Sequence, residues 1–427
     1  MLHVDITGSL AKTLTPSVGI PERDLTALRT SMKRFIEDFQ RERTESDIHA
    51  WADDPYNDNV IRQVRSVAKM IKDDKIQTVL WIGIGGSGLG PQVLQEVFET
   101  PETIEFILVD VVDPSILSLY LSIVDWKHAA VVVVSKSGET LESMSAFFLL
   151  YEELKKSLGR KAASRVIAIT DPEKGFLRKY SAEEGFITLP IPSAVGGRYC
   201  IFTPVGLLPL ALFEADITKF LQGAQDMDQA CRKNKLEENP AALLASAQYL
   251  LDTKKGYLMR VIMPYVQKLR SLARWNQQLI AESLGKNEVL NPFPVAAIGT
   301  QDQHSLLQQW VQGPHKAWHL FITETEKPRL TVPRDVPKEW SYIGGKSFGQ
   351  ILDAEFTGTN QGLTAAKRAH VTISLARLDE YHLGQLFYLL LTEVVLLGKL
   401  YRIDPYGQPG VEYSKKIAKE LLGESRA

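Results

Sequence analysis

Cysteine is nearly absent from this 427-residue chain: only Cys200 and Cys231 occur, and two cysteines cannot build the disulfide framework that staples small secreted domains. Counting alone leaves one bridge open, but a reducing, cytoplasmic setting is the simpler expectation. Net charge is nearly absent too. Forty-nine Lys and Arg against 51 Asp and Glu leave −2, so no long-range field gathers nucleic acid or an anionic membrane, and an anionic ligand has to be held locally. No basic stretch followed by an apolar run stands at Met1 to Leu10, and the purest apolar stretch, about Pro204 to Phe213, is too short to cross a bilayer. A low-complexity linker and a clear internal repeat are also missing. The expectation is a soluble, unexported protein whose partners include neither nucleic acid nor membrane.

What is present is length and rhythm. The chain exceeds what one hydrophobic core usually serves, so two domains are expected. Between Thr78 and about Ile191, apolar β-branched runs at Thr78 to Ile84, Glu105 to Val112, Ala130 to Ser135, Arg165 to Thr170 and Gly185 to Ile191 alternate with helix-like segments. Most of these runs lack the alternation of a half-exposed strand, which suits strands covered on both faces. Strand–helix alternation predicts a parallel, doubly wound sheet whose ligands sit beyond the carboxyl ends of its strands. Tyr257 to Met263, His319 to Thr323 and His370 to Leu375 predict a second α/β layer, and a polar helix is expected at Pro21 to Arg43 in an N-terminal arm that packs on a domain or a partner subunit.

The loops expected to hold a ligand follow the strands. Gly83-Ile84-Gly85-Gly86-Ser87-Gly88-Leu89-Gly90-Pro91 opens a predicted helix whose first turn carries Pro91. Its glycines let the backbone approach a ligand, and a helix start offers free N–H groups and positive dipole to an anion. Gly83, Gly85 and Gly88, with Asp110 ending the next strand, also fit a dinucleotide fingerprint, and a tight turn without ligand is the plain alternative. A second loop, Ser135-Lys136-Ser137-Gly138-Glu139-Thr140, brings hydroxyls at Ser135, Ser137 and Thr140 and the charge of Lys136 to another helix start. These groups suit one phosphate, which a dinucleotide fold does not need, although the hydroxyls alone would also serve as helix caps.

Candidates for chemistry lie further along. Arg198 follows Gly196 and Gly197, where a tight backbone can aim a guanidinium at a developing oxyanion. Gln278 and Glu282 stand four apart on a predicted helix, Leu269 to Leu284, with Glu282 in the last turn, where a carboxylate opposes the helix dipole. A surface pair with Lys286 would explain Glu282 as well. His304 stands at a loop-to-helix junction and suits proton transfer near neutral pH. Lys415 falls in the opening turns of a helix after Gln408-Pro409-Gly410, where a cation is disfavoured. His315 and His319 have metal-ligand spacing but no evident third ligand, so no metal is expected.

Taken together, the segments Gly83 to Pro91, Ser135 to Glu142, Val195 to Pro209, Trp275 to Lys286, Gly299 to Gly313 and Gly384 to Lys415 resemble the glucose-6-phosphate isomerase family, in family order, with a length nearer its shorter bacterial-type members. The resemblance implies an α/β fold of two doubly wound sugar-isomerase-type domains with parallel or mostly parallel sheets and extra helices at the termini: a helical arm at 1–44, domains at 45–205 and 206–400, and a segment carrying Lys415 at 401–427. It implies cofactor-free interconversion of glucose 6-phosphate and fructose 6-phosphate in glycolysis and gluconeogenesis, by a homodimer. By resemblance, Gly86, Ser87, Ser135, Lys136, Ser137 and Thr140 bind the phosphate. Gly197 and Arg198 face the sugar, with Arg198 steadying the enediolate, and Gln278 and Gln408 contact the ligand. Glu282 matches the base, and His304 and Lys415 match the residues tied to ring opening, His304 reaching across from the partner subunit. Gly138 and Glu139 depart from longer animal-type members, which leaves the preference for the sugar at C2 open. Two further readings stay open: a non-catalytic sugar-phosphate sensor, and the NAD enzyme suggested by the first loop.

Overall fold

A computed structural model describes residues 1–423. Ten strands form two five-stranded sheets: β1 (His3–Asp5), β2 (Thr78–Ile82), β3 (Glu105–Val109), β4 (Ala129–Val134), β5 (Val166–Thr170), β6 (Ile187–Pro190), β7 (Met259–Pro264), β8 (Phe293–Ala296), β9 (Ala317–Glu324) and β10 (His370–Leu375). The first sheet runs β3-β2-β4-β5-β6, and every neighbouring pair is parallel. β4 reads Ala-Ala-Val-Val-Val-Val and is buried at each position, as a strand sandwiched between helical layers must be. Its residues alternate between two cores. Val131 and Val133 pack with Phe147, Leu150 and Leu154 of the helix Leu141–Leu158, while Val132 and Val134 face a larger core shared with the second half of the chain.

The second sheet runs β1-β10-β9-β7-β8, parallel except for the antiparallel edge strand β1. The N-terminal arm is thus divided between this sheet edge and the helix Glu22–Glu45, which buries Met32, Ile36 and Phe39. Two strands carry no legible periodicity: β1 has three residues, and β8 contains Pro294, which suits only an edge or a strand end. Ile262, Leu320, Ile322, Val371 and Ile373 of this sheet point into the same large core as Trp81 and Val132 of the first. The two halves therefore share one apolar interior.

The long apolar helix Glu380–Tyr401 crosses that interior and is buried along nearly its whole length. Its closest neighbour is the helix Ile217–Cys231. A Cβ on Gly223 would lie 1.9 Å from the Tyr381 carbonyl, and one on Gly384 would lie 1.9 Å from the Phe220 carbonyl, so both glycines are there to let two backbones touch. This apolar length is explained by core packing.

Candidate active site

The first sheet reverses its strand order between β2 and β4, the topological switch point where ligands bind in doubly wound folds. The two glycine- and serine-rich loops leave those two strands. The helix Gly86–Phe98 starts at Gly85, which has φ +60° and no side-chain cap, with no acidic residue in its first turn. Pro91 is interior to this helix and not in its first turn. Having no N–H, it leaves the Ser87 carbonyl unused within the helix, and the Trp81 indole takes it at 2.9 Å. Gly86 lies on Gly197: a Cβ would meet the Gly197 carbonyl at 2.1 Å. Beneath them the Cys200 thiol donates to the Gly197 carbonyl at 2.9 Å. Burial pushes this thiol up to about 12, so it acts as a packing group and not a nucleophile.

In the second loop Ser135 is 2% exposed, and its Oγ accepts from the Gly138 N–H at 3.0 Å. Ser137 Oγ accepts from the Glu139 N–H at 3.2 Å. Thr140 stands at the N-cap of the helix Leu141–Leu158, yet its side chain does not cap it. Asn57, Asp113, Asp216, Asn239 and Asp379 each cap the helix they precede. Both helix starts at the switch point therefore keep their first-turn N–H groups unpaired by side chains, the arrangement an anion needs. Lys136 turns away: its ammonium donates to the carbonyls of Ser193 and of Val195, the latter at 3.1 Å. Desolvation holds its pKa below the usual lysine value. It ties the serine-rich loop to the 193–195 segment.

The helix Arg270–Leu284 brings chemistry to these loops. Gln278 Nε2 donates to Glu282 Oε1 at 3.0 Å, and a Cβ on Gly85 would lie 2.7 Å from the same Nε2. Arg198 is 6% exposed and donates to Glu282 Oε2 at 2.7 Å. Its Nε donates to Ser283 Oγ at 3.0 Å, its Nη1 also reaches Gln408 Oε1, and its Nη2 donates to the carbonyls of Pro405 at 3.2 Å and Tyr406 at 2.8 Å. A half-buried carboxylate is thus held between a guanidinium and an amide, with the glycine-rich loop at Gly85 alongside. The surface pair of Glu282 with Lys286 does not form; Lys286 donates to the Asp404 carbonyl at 2.5 Å.

Gly86, Gly197, Arg198, Gln278, Glu282 and Gln408 therefore meet in one place. His304 does not join them. It follows β8, is exposed, and its ring makes no hydrogen bond among the described residues. Its neighbour Gln301 accepts from Arg270 at 3.0 Å, twelve residues and about 18 Å of helix axis from Glu282. Lys415 lies in the exposed helix Glu412–Leu421, paired with Glu412 at 2.8 Å. His315 bonds Tyr257 at 2.9 Å, and among the described residues no group of three or more His, Cys, Asp or Glu is set to hold a metal. Sequence reasoning missed Ser283, Tyr199 and the 404–408 turn as partners of Arg198. The Asp-Pro-Tyr-Gly run at 404–407 was the available signal.

The profile of the phosphoglucose isomerase family matches residues 49–332. The glucose-6-phosphate isomerase of Carboxydothermus hydrogenoformans is 34% identical over 383 residues, covering 85% of this chain and 82% of the relative. That of Rubrobacter xylanophilus is 36% identical over 372 residues, covering 84% and 85%. Among solved structures, a hypothetical protein from Thermus thermophilus superposes with a TM-score of 0.90 at 29% identity, covering 99% of this chain and 100% of the other. A glucose-6-phosphate isomerase from Chlamydia trachomatis shares the fold with a TM-score of 0.83 at 21% identity, covering 95% and 87%. On sequence and fold together, this chain belongs to the phosphoglucose isomerase family.

Proposed function

We propose that this chain interconverts glucose 6-phosphate and fructose 6-phosphate through a cis-enediolate, with Glu282 as the base. The observation that carries the reading is the 2.7 Å contact between Arg198 and Glu282 beside two uncapped helix starts. Relatives at 34–36% identity bear the name glucose-6-phosphate isomerase, which supports the substrate. The phosphate, close to doubly charged at neutral pH, is held by Ser87, Ser135, Ser137, Thr140 and the first-turn N–H groups, with Lys136 lending charge. Anchored there, the open-chain sugar extends past the Gly86–Gly197 contact toward Glu282.

The Glu282 carboxylate takes the proton from C2 of the aldose, and the electron pair moves onto the C1 carbonyl oxygen. The positive charge of Arg198, desolvated and held beside Glu282, offsets the charge on the enediolate through space. Returning that proton to C1 on the same face, while the O2 hydroxyl proton passes to O1 and the carbonyl forms at C2, yields the ketose. Gln278 and Gln408 orient the carboxylate and the hydroxyls. Ring opening is assigned to Lys415 and to His304 of a second copy, since within one chain His304 is exposed and makes no hydrogen bond to Glu282, Arg198 or Gln278 among the described residues. Such a protein works in sugar-phosphate metabolism as a homodimer and uses no cofactor.

Fructose 6-phosphate given to the purified protein, with glucose 6-phosphate followed through an NADP-linked dehydrogenase, tests the reaction; a folded protein without turnover removes it. Mixing inactive Glu282→Gln and His304→Ala chains tests the shared site. Subunit exchange then restores up to about a quarter of wild-type activity per chain, because hybrid dimers hold one intact site, and no recovery rejects the exchange of His304.

A further inference from the structure

We propose that the Tyr406 hydroxyl, gripped between His49 and Trp51, is what holds the Arg198 guanidinium in register, which makes Tyr406 a positioning residue for the reaction. The inference rests on the roles given above to Arg198 and Glu282. A guanidinium has five N–H donors. Arg198 directs them at five acceptors, of which three, the Pro405 and Tyr406 carbonyls and the Gln408 amide oxygen, belong to the turn at 404–408. Where that turn sits therefore decides where the guanidinium sits.

The backbone of the turn has modest ties of its own. Tyr406 N–H donates to Asp404 Oδ1 at 3.0 Å, and the Tyr199 hydroxyl donates to the Pro405 carbonyl at 3.2 Å. The side chain of Tyr406 supplies the deeper anchor. Its ring packs on Tyr199 at 5.0 Å and His49 at 5.5 Å between centroids. The Trp51 indole N–H donates to its hydroxyl at 3.1 Å, so the hydroxyl proton is free to go to His49 Nδ1, which it contacts. That leaves His49 Nε2–H for Glu42 Oε2 at 2.9 Å, and Lys399 completes the chain with 2.8 and 2.7 Å contacts to the two Glu42 oxygens. One arrangement, a neutral His49 protonated on Nε2, satisfies every donor, and burial favours that neutral form.

Trp51 is 1% exposed and His49 3% exposed, so the groups that grip the hydroxyl are fixed in the core, while the carbonyl of the same Tyr406 touches Arg198. One residue joins a buried anchor to the reacting centre.

Tyr406→Phe removes one oxygen and keeps the ring. Its kcat for fructose 6-phosphate is expected to fall about tenfold to a hundredfold, the scale of a small misplacement, with KM within about twofold of wild type. Tyr151→Phe, which removes a comparable phenol bond to Glu184 far from the turn, is expected to leave kcat unchanged. His49→Asn, whose amide can meet the phenol where Nδ1 does, is expected to keep more kcat than His49→Leu. Hydrogen exchange across residues 402–412 reads the turn without turnover, and protection there should drop about tenfold in Tyr406→Phe and in His49→Leu but not in Tyr151→Phe. A Tyr406→Phe enzyme with kcat within about twofold of an active wild type, or with unchanged exchange, overturns the proposal. An inactive wild type counts against the isomerase reading instead, and the exchange result still decides whether the relay holds the turn.

Discussion

Replacing Arg198 by lysine keeps the positive charge and removes the geometry, so it separates two explanations of how the enediolate is stabilised. The guanidinium has a donor for each of five acceptors, whereas an ammonium has three donors on a narrower head. At least two acceptors lose their partner in a site where the side chain is 6% exposed. At roughly 1–2 kcal/mol for each unmet group, stability falls by about 2–4 kcal/mol. The kinetic loss is set by a different quantity, the placement of the cation beside Glu282 relative to charge that develops only in the transition state, and is about 10²–10³ in kcat. Coupled assay of fructose 6-phosphate turnover, alongside urea unfolding of both proteins, measures the two losses independently. An Arg198→Lys enzyme that turns over within about threefold of wild type would mean that charge near Glu282 suffices and that the fivefold bonding of Arg198 is irrelevant to rate.

Two other outcomes follow from the same structure. Gly86→Ala puts a methyl 2.1 Å from the Gly197 carbonyl, backbone against backbone; the contact must open, with about 1–3 kcal/mol lost in a melt and kcat/KM lowered with it. His319 is fully buried on β9 with neither ring nitrogen hydrogen-bonded among the described residues, and burial lowers its pKa to about 3, while that of His370 falls to about 4. Both are depressed from about 6.5, so the unfolded chain binds more protons below that value, and stability is complete above it and declines as pH falls. Between pH 7 and pH 5 each histidine gives up about 2 kcal/mol. His319→Phe, beside Trp310 and Phe321, should flatten that slope by one share without loss at pH 7, as read from urea midpoints.

How much of this was legible in the sequence depended on whether a signal is local. The strands at 78–82, 129–134 and 166–170 announce themselves because both faces are covered, so nearly every residue is apolar. The helix Arg270–Leu284 was legible from its apolar side and from the glycine at its end. Glu282 stood out because a carboxylate in a last turn needs a partner, but that the partner is Arg198 and not Lys286 is a tertiary fact. β1 and β8 are too short or too proline-bound to carry a period. The turn at 404–408 reads as an ordinary loop, and its bond to Arg198 crosses some two hundred residues of chain. Lys136 shows the converse: its position in a serine-rich loop suggests a phosphate contact, yet two carbonyls on the neighbouring loop capture it.

The central claim, that Glu282 moves a proton between C1 and C2 beside Arg198, is tested most directly by isomerising fructose 6-phosphate in heavy water. Wild-type protein is expected to put deuterium at C2 of the glucose 6-phosphate formed, and Glu282→Gln to lower both turnover and incorporation by about 10²–10⁴, the usual worth of a general base. Turnover by wild type without any incorporated deuterium, together with a Glu282→Gln enzyme of near-normal rate, would contradict it.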